Sequence, residues 1–334
     1  MKNKIKFGII GCSSIAKRSV IPAIIEASNT ELGFIGSRTK EKAEKIANEF
    51  GCEKFGSYEE VLDYDEIDAV YISVPIGLHE EWCIKSAQAN KHILCEKSFS
   101  ISLKSTENIL NICEMNNVRV MEGLMVRFHP RTKKIHEMIE NGIIGDISSF
   151  SGSYGFPPTS TEDIRYNSKL GGGVLNETGC YPICLARIIF NEEPIGVFSN
   201  LRFDEQLNVD IQGSSLLLFQ NSKVGQVSFS FNSHYQANYK IWGTKGILET
   251  SRAFSIPPTL ESLINIESSS GKKDIVVKAA NHFAIMVEEF AEELLRNNKD
   301  KSNFEEELLK QARIMEAVRI SNKENRFVFI NEVK

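Results

Sequence analysis

The chain has no Cys-x-x-Cys pair and no His-x-x-x-His pair. Its seven cysteines, Cys12, Cys52, Cys83, Cys95, Cys113, Cys180 and Cys184, are odd in number and scattered in spacing. That pattern argues against a disulfide framework and against a zinc site, so no metal is expected and the thiols read as reduced and buried in a cytoplasmic protein. No apolar run approaches the ~20 residues that span a bilayer, so no membrane segment is expected. The first residues, Met1 to Lys6, are basic but lead straight into a short strand rather than a signal-peptide core. Lys and Arg are spread along the chain and the net charge is −5, which gives no reason to expect nucleic acid. Repeats, low-complexity tracts and an evident linker are also missing. What is present is an ordinary globular composition, 42% hydrophobic and 25% charged, over 334 residues, enough for two domains with real cores.

The first ~120 residues alternate strand and helix patterns. Strand-like runs are Ile5 to Ile10, Glu31 to Gly36, Ala69 to Val74, His92 to Cys95 and Val118 to Met121. Helical periodicity covers Ser14 to Ala27, Lys40 to Phe50, Glu80 to Ala89 and Leu103 to Asn116. Short strands separated by helices predict a doubly wound parallel sheet covered on both faces, a Rossmann-type α/β domain over residues 1–123. The pattern then changes. A helix from Pro130 to Asn141 is followed by strand-like runs at 148–154, 196–203, 214–219, 224–231 and 239–242, punctuated by Gly, Asn and Ser, which read as antiparallel strands of one open sheet. Amphipathic helices over Asn281 to Asn297 and Glu305 to Ser321 close the chain. The second domain, residues 124–334, is thus expected to be α+β, with its last helices free to pack back on the first domain.

The first strand runs into Gly8-Ile9-Ile10-Gly11-Cys12-Ser13-Ser14-Ile15-Ala16. A dinucleotide fingerprint needs glycine at the tight turn, a second glycine where the pyrophosphate approaches, and a small residue where helix meets strand. Gly11 and Ala16 meet the first and third needs, and Ser13 stands at the second. In a βαβ context the helix N-terminus aims backbone N–H groups at the phosphates, which brings Ser14 and Ile15 into the cofactor set. After the second strand, NAD binders carry an acid for the ribose 2′-hydroxyl. Here the sequence is Gly36-Ser37-Arg38-Thr39-Lys40. Cations at a helix N-terminus are unfavourable unless an anion sits there, and a 2′-phosphate suits Ser37 and Arg38. NADP(H) is therefore expected over NAD(H).

Cys95-Glu96-Lys97-Ser98 ends the fourth strand, where ligands bind in open α/β sheets. Glu177-Thr178-Gly179-Cys180-Tyr181-Pro182 follows a triple glycine. A lysine and a tyrosine brought together suit ketone reduction. The ammonium stabilises a developing alkoxide, and the phenol, an acid of pKa near ~10 that a cation lowers, supplies the proton.

Several of these segments together carry a resemblance. Gly11 to Ala16, Glu96-Lys97, Gly171 through Tyr181-Pro182, and Gly243-Thr244-Lys245-Gly246 resemble, in order and spacing, the glucose–fructose oxidoreductase / inositol dehydrogenase / MocA family. Within it, Gly11 to Pro22, Glu162 to Tyr166, Asn238-Tyr239 and Phe254 to Pro258 look most like the nucleotide-linked deoxysugar 3-ketoreductases. The resemblance implies a Rossmann domain followed by an α+β domain whose open sheet forms a subunit interface, hence a homodimer or homotetramer. It implies Lys97, beside Glu96, near the nicotinamide, and Tyr181 as general acid facing it. It places Pro75 and His79, a Pro-x-x-x-His pattern, around the nicotinamide, although His79 reads equally as a residue that caps or packs its helix. Arg165 and Tyr166 read as grips for a diphosphate or sugar hydroxyls, with a surface salt bridge the alternative for Arg165. His129 reads as a substrate contact near the domain junction, and Asn238 and Tyr239 resemble positions in the related reductases, though sheet packing explains them as well. Two positions depart from the family: Ser98 stands where proline is usual, and Glu177 where aspartate is usual. The implied activity is NADPH-dependent reduction of a nucleotide-linked keto sugar. The alternatives are oxidation of a sugar, polyol or dihydrodiol, and a non-catalytic dinucleotide sensor.

Overall fold

The computed structural model describes residues 3–296 and 302–334. Met1, Lys2 and Asn297, the expected end of the first C-terminal helix, lie outside the described residues. The chain divides into two compact units: Met1–Met125 with Phe283–Leu309, and Val126–His282 with Lys310–Lys334. The segment Phe283–Leu309 thus belongs with the amino-terminal unit rather than with the residues that precede it.

In the first unit six strands, β1 (Ile5–Ile10), β2 (Thr30–Gly36), β3 (Phe55–Gly56), β4 (Ala69–Ile72), β5 (His92–Cys95) and β6 (Val120–Glu122), form one sheet in the order β3-β2-β1-β4-β5-β6. Every pairing is parallel. Helices α1 (Ile21–Glu26), α2 (Lys40–Phe50), α3 (Tyr58–Leu62), α4 (His79–Gln88) and α5 (Leu103–Met115) alternate with the strands. On one face Ile10, Val70, Ile72, Ile93, Cys95 and Val120 pack with Trp82, Cys83, Ile109 and Cys113. Burying such aliphatic side chains is worth about 1.5–3 kcal/mol each, which is why near-continuous apolar runs form these central strands. The returning segment is tied in by Arg119, whose Nε donates to Glu305 Oε1 at 2.7 Å and which also pairs with Glu293.

The second unit is built on a nine-stranded sheet. Its strands are β7 (Ile147–Gly155), β8 (Gly196–Asp204), β9 (Val209–Leu218), β10 (Val224–Ser230), β11 (Gln236–Gly243), β12 (Gly246–Ser251), β13 (Ser262–Ser268), β14 (Gly271–Val277) and β15 (Val328–Phe329), in the order β14-β13-β12-β11-β7-β10-β9-β8-β15. One face is apolar, with Phe150, Ala237, Tyr239, Ile241, Leu248, Ile264 and Ile266 buried, and alternates with exposed Ser151, Lys240, Trp242, Glu249 and Asn265. Helix α6 (Pro130–Glu140) precedes the sheet, and α7 (Cys180–Phe190) packs on its covered face against β7 and β10. Helix α8 (His282–Leu295), almost all of it in the first unit, and helix α9 (Phe304–Glu324) precede β15 in the chain. The sheet is the expected open, mostly antiparallel one, with one correction: β10 runs parallel to β7. The crossover through α7 delivers β8 in that direction, and the β8-β9-β10 meander returns β10 to it.

A polar cluster lies in this unit's interior. His129 Nδ1 accepts the Arg131 N–H at 3.0 Å and so caps α6, and the His282 ring meets the His129 ring edge-on at 5.4 Å. Arg131 is fully buried and donates to the Ser251 and Ala253 carbonyls at 3.2 and 2.6 Å. Burial, reinforced by Arg131, pushes His129 down to about 4; burial, reinforced by His129 and Arg131, pushes His282 down to about 3. Both imidazoles are therefore neutral in the folded protein, whereas in the unfolded chain they take up protons below about 6.5. Stability from this cluster is complete above about pH 6.5 and is lost as pH falls from there towards 4 and 3. Urea unfolding followed by circular dichroism should show a loss on the order of 2 kcal/mol per histidine between pH 7 and pH 5. His282→Phe, which keeps a ring in place, should flatten that dependence; an unchanged slope would rule the cluster out as its source.

Candidate functional site

In the first unit the residues singled out from sequence lie just beyond the carboxyl ends of β1, β2, β4 and β5, the edge at which doubly wound sheets bind ligands. Gly11 ends β1 with φ +106°, and a Cβ there would stand 2.9 Å from the Ser73 carbonyl carbon, so only glycine lets this turn lie against the residue after β4. The turn is pinned by the Gly11 N–H donating to Gly36 O at 3.2 Å and by the Ser73 hydroxyl donating to Gly11 O at 2.6 Å. Ser13, standing where a second glycine is usual, caps the following helical segment: its Oγ accepts the Ala16 N–H at 3.1 Å and its carbonyl accepts the Lys17 N–H. That segment begins as a π-helical turn, Ala16–Val20. Ser14 is exposed, Ile15 half-buried, and Ala16 is buried at the helix–strand contact.

After β2, Ser37 is buried and lies against Cys12, whose thiol is raised mainly by burial and eased by Ser37 and Lys42. Arg38 is exposed and has no ion-pair partner among the described residues. Lys42, one helical turn on and near enough to bear on Cys12, escaped the sequence reading; its i+4 spacing from Arg38 was the available signal. A glycine cradle, a capped helix N-terminus and an acid-free, cationic strand end together fit a dinucleotide carrying a 2′-phosphate.

Pro75 is half-buried after β4. His79, at the start of α4, is buried, with Nε2 2.9 Å from Val74 O and Nδ1 3.1 Å from Phe99 O. Both nitrogens face backbone carbonyls, so the geometry favours the packing reading of His79 over direct ligand contact. Burial, the largest cause, with Lys97 adding to it, lowers its pKa. After β5, Glu96 is buried and accepts the Tyr71 hydroxyl on Oε1 at 2.6 Å and the Lys97 N–H on Oε2 at 3.2 Å. Lys97 is half-buried, and the Lys97–Ser98 peptide is cis.

In the second unit, Gly173 has φ +128°, and a Cβ there would run into Asp210 Oδ1. Asp210 accepts the Leu175 N–H at 2.7 Å, which anchors the π-helical turn Leu175–Gly179 leading into α7. Burial raises the Asp210 pKa, opposed by that N–H. Gln311 Nε2 donates to Cys180 O at 3.0 Å, and Arg319 Nη2 to Asn176 Oδ1 at 2.7 Å. Tyr181, in the first turn of α7, is buried between the Tyr154 ring, edge-on at 5.5 Å, and the Phe254 ring at 6.0 Å. Glu177 Oε2 is 3.9 Å from Arg165 Nε; Arg165 also pairs with Asp163 at 3.4 Å and lies over the Phe156 ring. Tyr166 is buried edge-on against Phe231. Arg165, Glu177 and Tyr181 therefore share the elements around the start of α7. His129 is not among them. It is buried to 1% exposure with His282 and Arg131, which favours a packing role over the substrate contact read from sequence. Tyr239 is likewise buried, 5.5 Å from the Phe150 ring, while Asn238 is half-buried on β11.

Residues 5–124 match the family profile described as an oxidoreductase family with an NAD-binding Rossmann fold, and residues 132–249 match that of the GFO/IDH/MocA C-terminal domain. A dTDP-3,4-didehydro-2,6-dideoxy-α-D-glucose 3-reductase from Actinomadura kijaniata is 32% identical over 95% of both chains. A D-xylose 1-dehydrogenase (NADP+) from Haloferax volcanii is 35% identical over 76% of this chain and 78% of its own. Among solved structures, a 3-ketoreductase from Actinomadura kijaniata in complex with NADP and TDP-benzene superimposes with a TM-score of 0.91 at 32% identity, covering 96% of this chain and 98% of that one.

Proposed function

The chain belongs to the GFO/IDH/MocA oxidoreductase family, and from that premise we propose that it is an NADPH-dependent 3-ketoreductase of a dTDP-linked keto-deoxysugar. What carries this reading is that the chain keeps both Glu96-Lys97 at the β5 end and Tyr181 at the start of α7, and matches such a reductase over nearly its whole length. Variants of the solved Actinomadura enzyme replace a lysine and a tyrosine that have the same separation in sequence as Lys97 and Tyr181, which supports giving each of these two residues a part in the reaction.

NADPH, when bound, supplies the hydride. Gly11, the helix capped by Ser13 with Ser14, Ile15 and Ala16, and the Pro75 turn hold its diphosphate and nicotinamide ends, while Ser37, Arg38 and Lys42 take the 2′-phosphate. Lys97 places its ammonium beside the ketone oxygen and stabilises the charge that develops there. Tyr181 gives its phenolic proton to the same oxygen. Glu177, held towards Arg165, lines the sugar, and Arg165 is the cation available to the diphosphate. The acid-free end of β2 favours this direction over sugar oxidation, because NADPH is the cell's reducing cofactor.

The enzyme acts as a homo-oligomer in the cytoplasm, where its seven thiols stay reduced. The outer face of the second sheet is its self-association surface. Phe198 and Leu216, paired across β8 and β9, and Trp242 on β11 are 41%, 42% and 59% exposed, and small side chains Ser149, Ser151, Ser153, Ser214 and Ser228 lie on the strands between them.

Three measurements test these statements. Tyr181→Phe and Lys97→Ala should each lower kcat about 10²–10⁴-fold for the dTDP-linked 3-keto sugar while NADPH titration changes little; full turnover in both would remove the mechanism. Arg38→Ala should weaken NADPH by about tenfold or more and leave NADH nearly unaffected, as expected for losing a charge-assisted bond; equal weakening of both would take Arg38 out of 2′-phosphate recognition. Light scattering should give the mass of a dimer or tetramer, reduced by the pair Leu216→Glu and Trp242→Glu; a monomeric wild type would end the self-association proposal.

A further inference from the structure

The residues that hold Lys97 in place come from both faces of the sheet. The parallel register pairs Tyr71 with Leu94 and Ile72 with Cys95, so Glu96 continues opposite Ser73. Period-two alternation then puts Tyr71 and Glu96 on one face as diagonal neighbours, a spacing that long side chains bridge. They do bridge it, at 2.6 Å, with Tyr71 fully buried. On the other face the register pairs Cys95 with Glu122. Glu122, also buried, accepts the Phe99 N–H on Oε1 at 2.9 Å. From α4, His79 meets the Phe99 carbonyl at 3.1 Å.

The backbone from 97 to 99 is thus gripped by two carboxylates and an imidazole. An ionised carboxylate has only acceptor sites, and Glu96 spends one on the Lys97 N–H. Its direction is set by what else it accepts, and Tyr71 donates to the opposite oxygen. Without that donor Oε1 loses a short hydrogen bond, and the carboxylate that accepts the Lys97 N–H is held less firmly.

We propose that Tyr71 is a positioning residue for the reaction: its hydroxyl holds the Glu96 carboxylate on the Lys97 N–H, and this fixes the direction in which Lys97 leaves β5. Tyr71 does not touch substrate or cofactor in this role; it acts through Glu96 on Lys97. The proposal rests on the reading of Lys97 as the group beside the ketone oxygen.

The test is a double-mutant cycle on the full chain. Tyr71→Phe keeps the buried ring and deletes the hydroxyl. It should lower kcat for the dTDP-linked 3-keto sugar about ten- to a hundredfold, as misplacement of a catalytic group does, with NADPH affinity changed less than about twofold. In a Lys97→Ala background the same substitution should cost nothing further. An equal loss in both backgrounds marks a merely structural tyrosine and overturns the proposal. A second readout needs no turnover: acetylation of Lys97 by acetic anhydride, followed by mass spectrometry across pH, with exposed Lys40 as internal control. Tyr71→Phe should shift the Lys97 profile and leave that of Lys40 unchanged. A folded Tyr71→Phe with wild-type kcat and a wild-type Lys97 profile overturns the proposal. If Lys97→Ala itself turns over normally, the catalytic reading of Lys97 fails, and the labelling profile alone then decides whether Tyr71 positions it.

Discussion

Buried backbone groups beyond the end of a strand have left the ladder that satisfied them, and each must find another partner or cost free energy. That constraint shapes the candidate residues in each unit. At the carboxyl edge of the first sheet, Ser73 serves Gly11 O, the His79 ring lies between Val74 O and Phe99 O with one N–H to give, Glu96 serves Lys97 N–H, and Glu122 serves Phe99 N–H. At the start of α7, Asp210 serves Leu175 N–H, Asn176 serves Gly171 O, and Gln311 serves Cys180 O. Side chains, not further strand pairing, therefore fix the loops that carry Lys97 and Glu177. Such contacts are worth about 1 kcal/mol each when neutral and more when a carboxylate accepts, so several together hold a loop against its conformational entropy.

This division explains what could be read from sequence. The parallel sheet was legible because its central strands are short, apolar and separated by helices, and Gly11, Ala16, Glu96, Lys97 and Tyr181 were legible because each belongs to a local motif. Tyr71 was not: in Ala69-Val70-Tyr71-Ile72 it looks like one more core residue, and its partner is brought alongside only by strand register. Asp210, a lone acid in a strand, and Glu122, at the end of another, were hidden for the same reason. Strands β12 to β14 escaped notice because their exposed positions carry Glu, Lys, Asn and Ser, which dilute the alternating signal. The parallel β7–β10 pairing depends on a crossover that no local pattern encodes. His129 was read as a substrate contact near the domain junction, and its use as a buried helix cap depends on a packing partner, His282, far away in sequence.

The interior of the second unit shows the same economy with charge. Arg131 has no carboxylate partner among the described residues, and a buried cation without compensation is costly. Two backbone carbonyls at the end of β12 receive its guanidinium, and burial lowers its pKa, a shift that Tyr239 opposes. The cation in turn helps keep the two neighbouring imidazoles neutral. The link between α6 and the sheet thus depends on one positive charge being present and two others being absent, which ties the packing of this region to proton uptake rather than to apolar area alone.

The two departures from the family pattern acquire distinct meanings. Ser98 replaces a residue whose ring would itself have restricted the chain; here the flanking peptide groups are restrained instead by Glu96, Glu122 and His79. Glu177 is one methylene longer than aspartate, and Arg165 stands where that length matters: Nε is 3.9 Å from the Glu177 carboxylate, and a side chain shorter by about 1.5 Å on the same turn would fall outside ion-pair range. At 37% exposure for Arg165 the pair is weak in energy, but it competes with any anion for the same guanidinium.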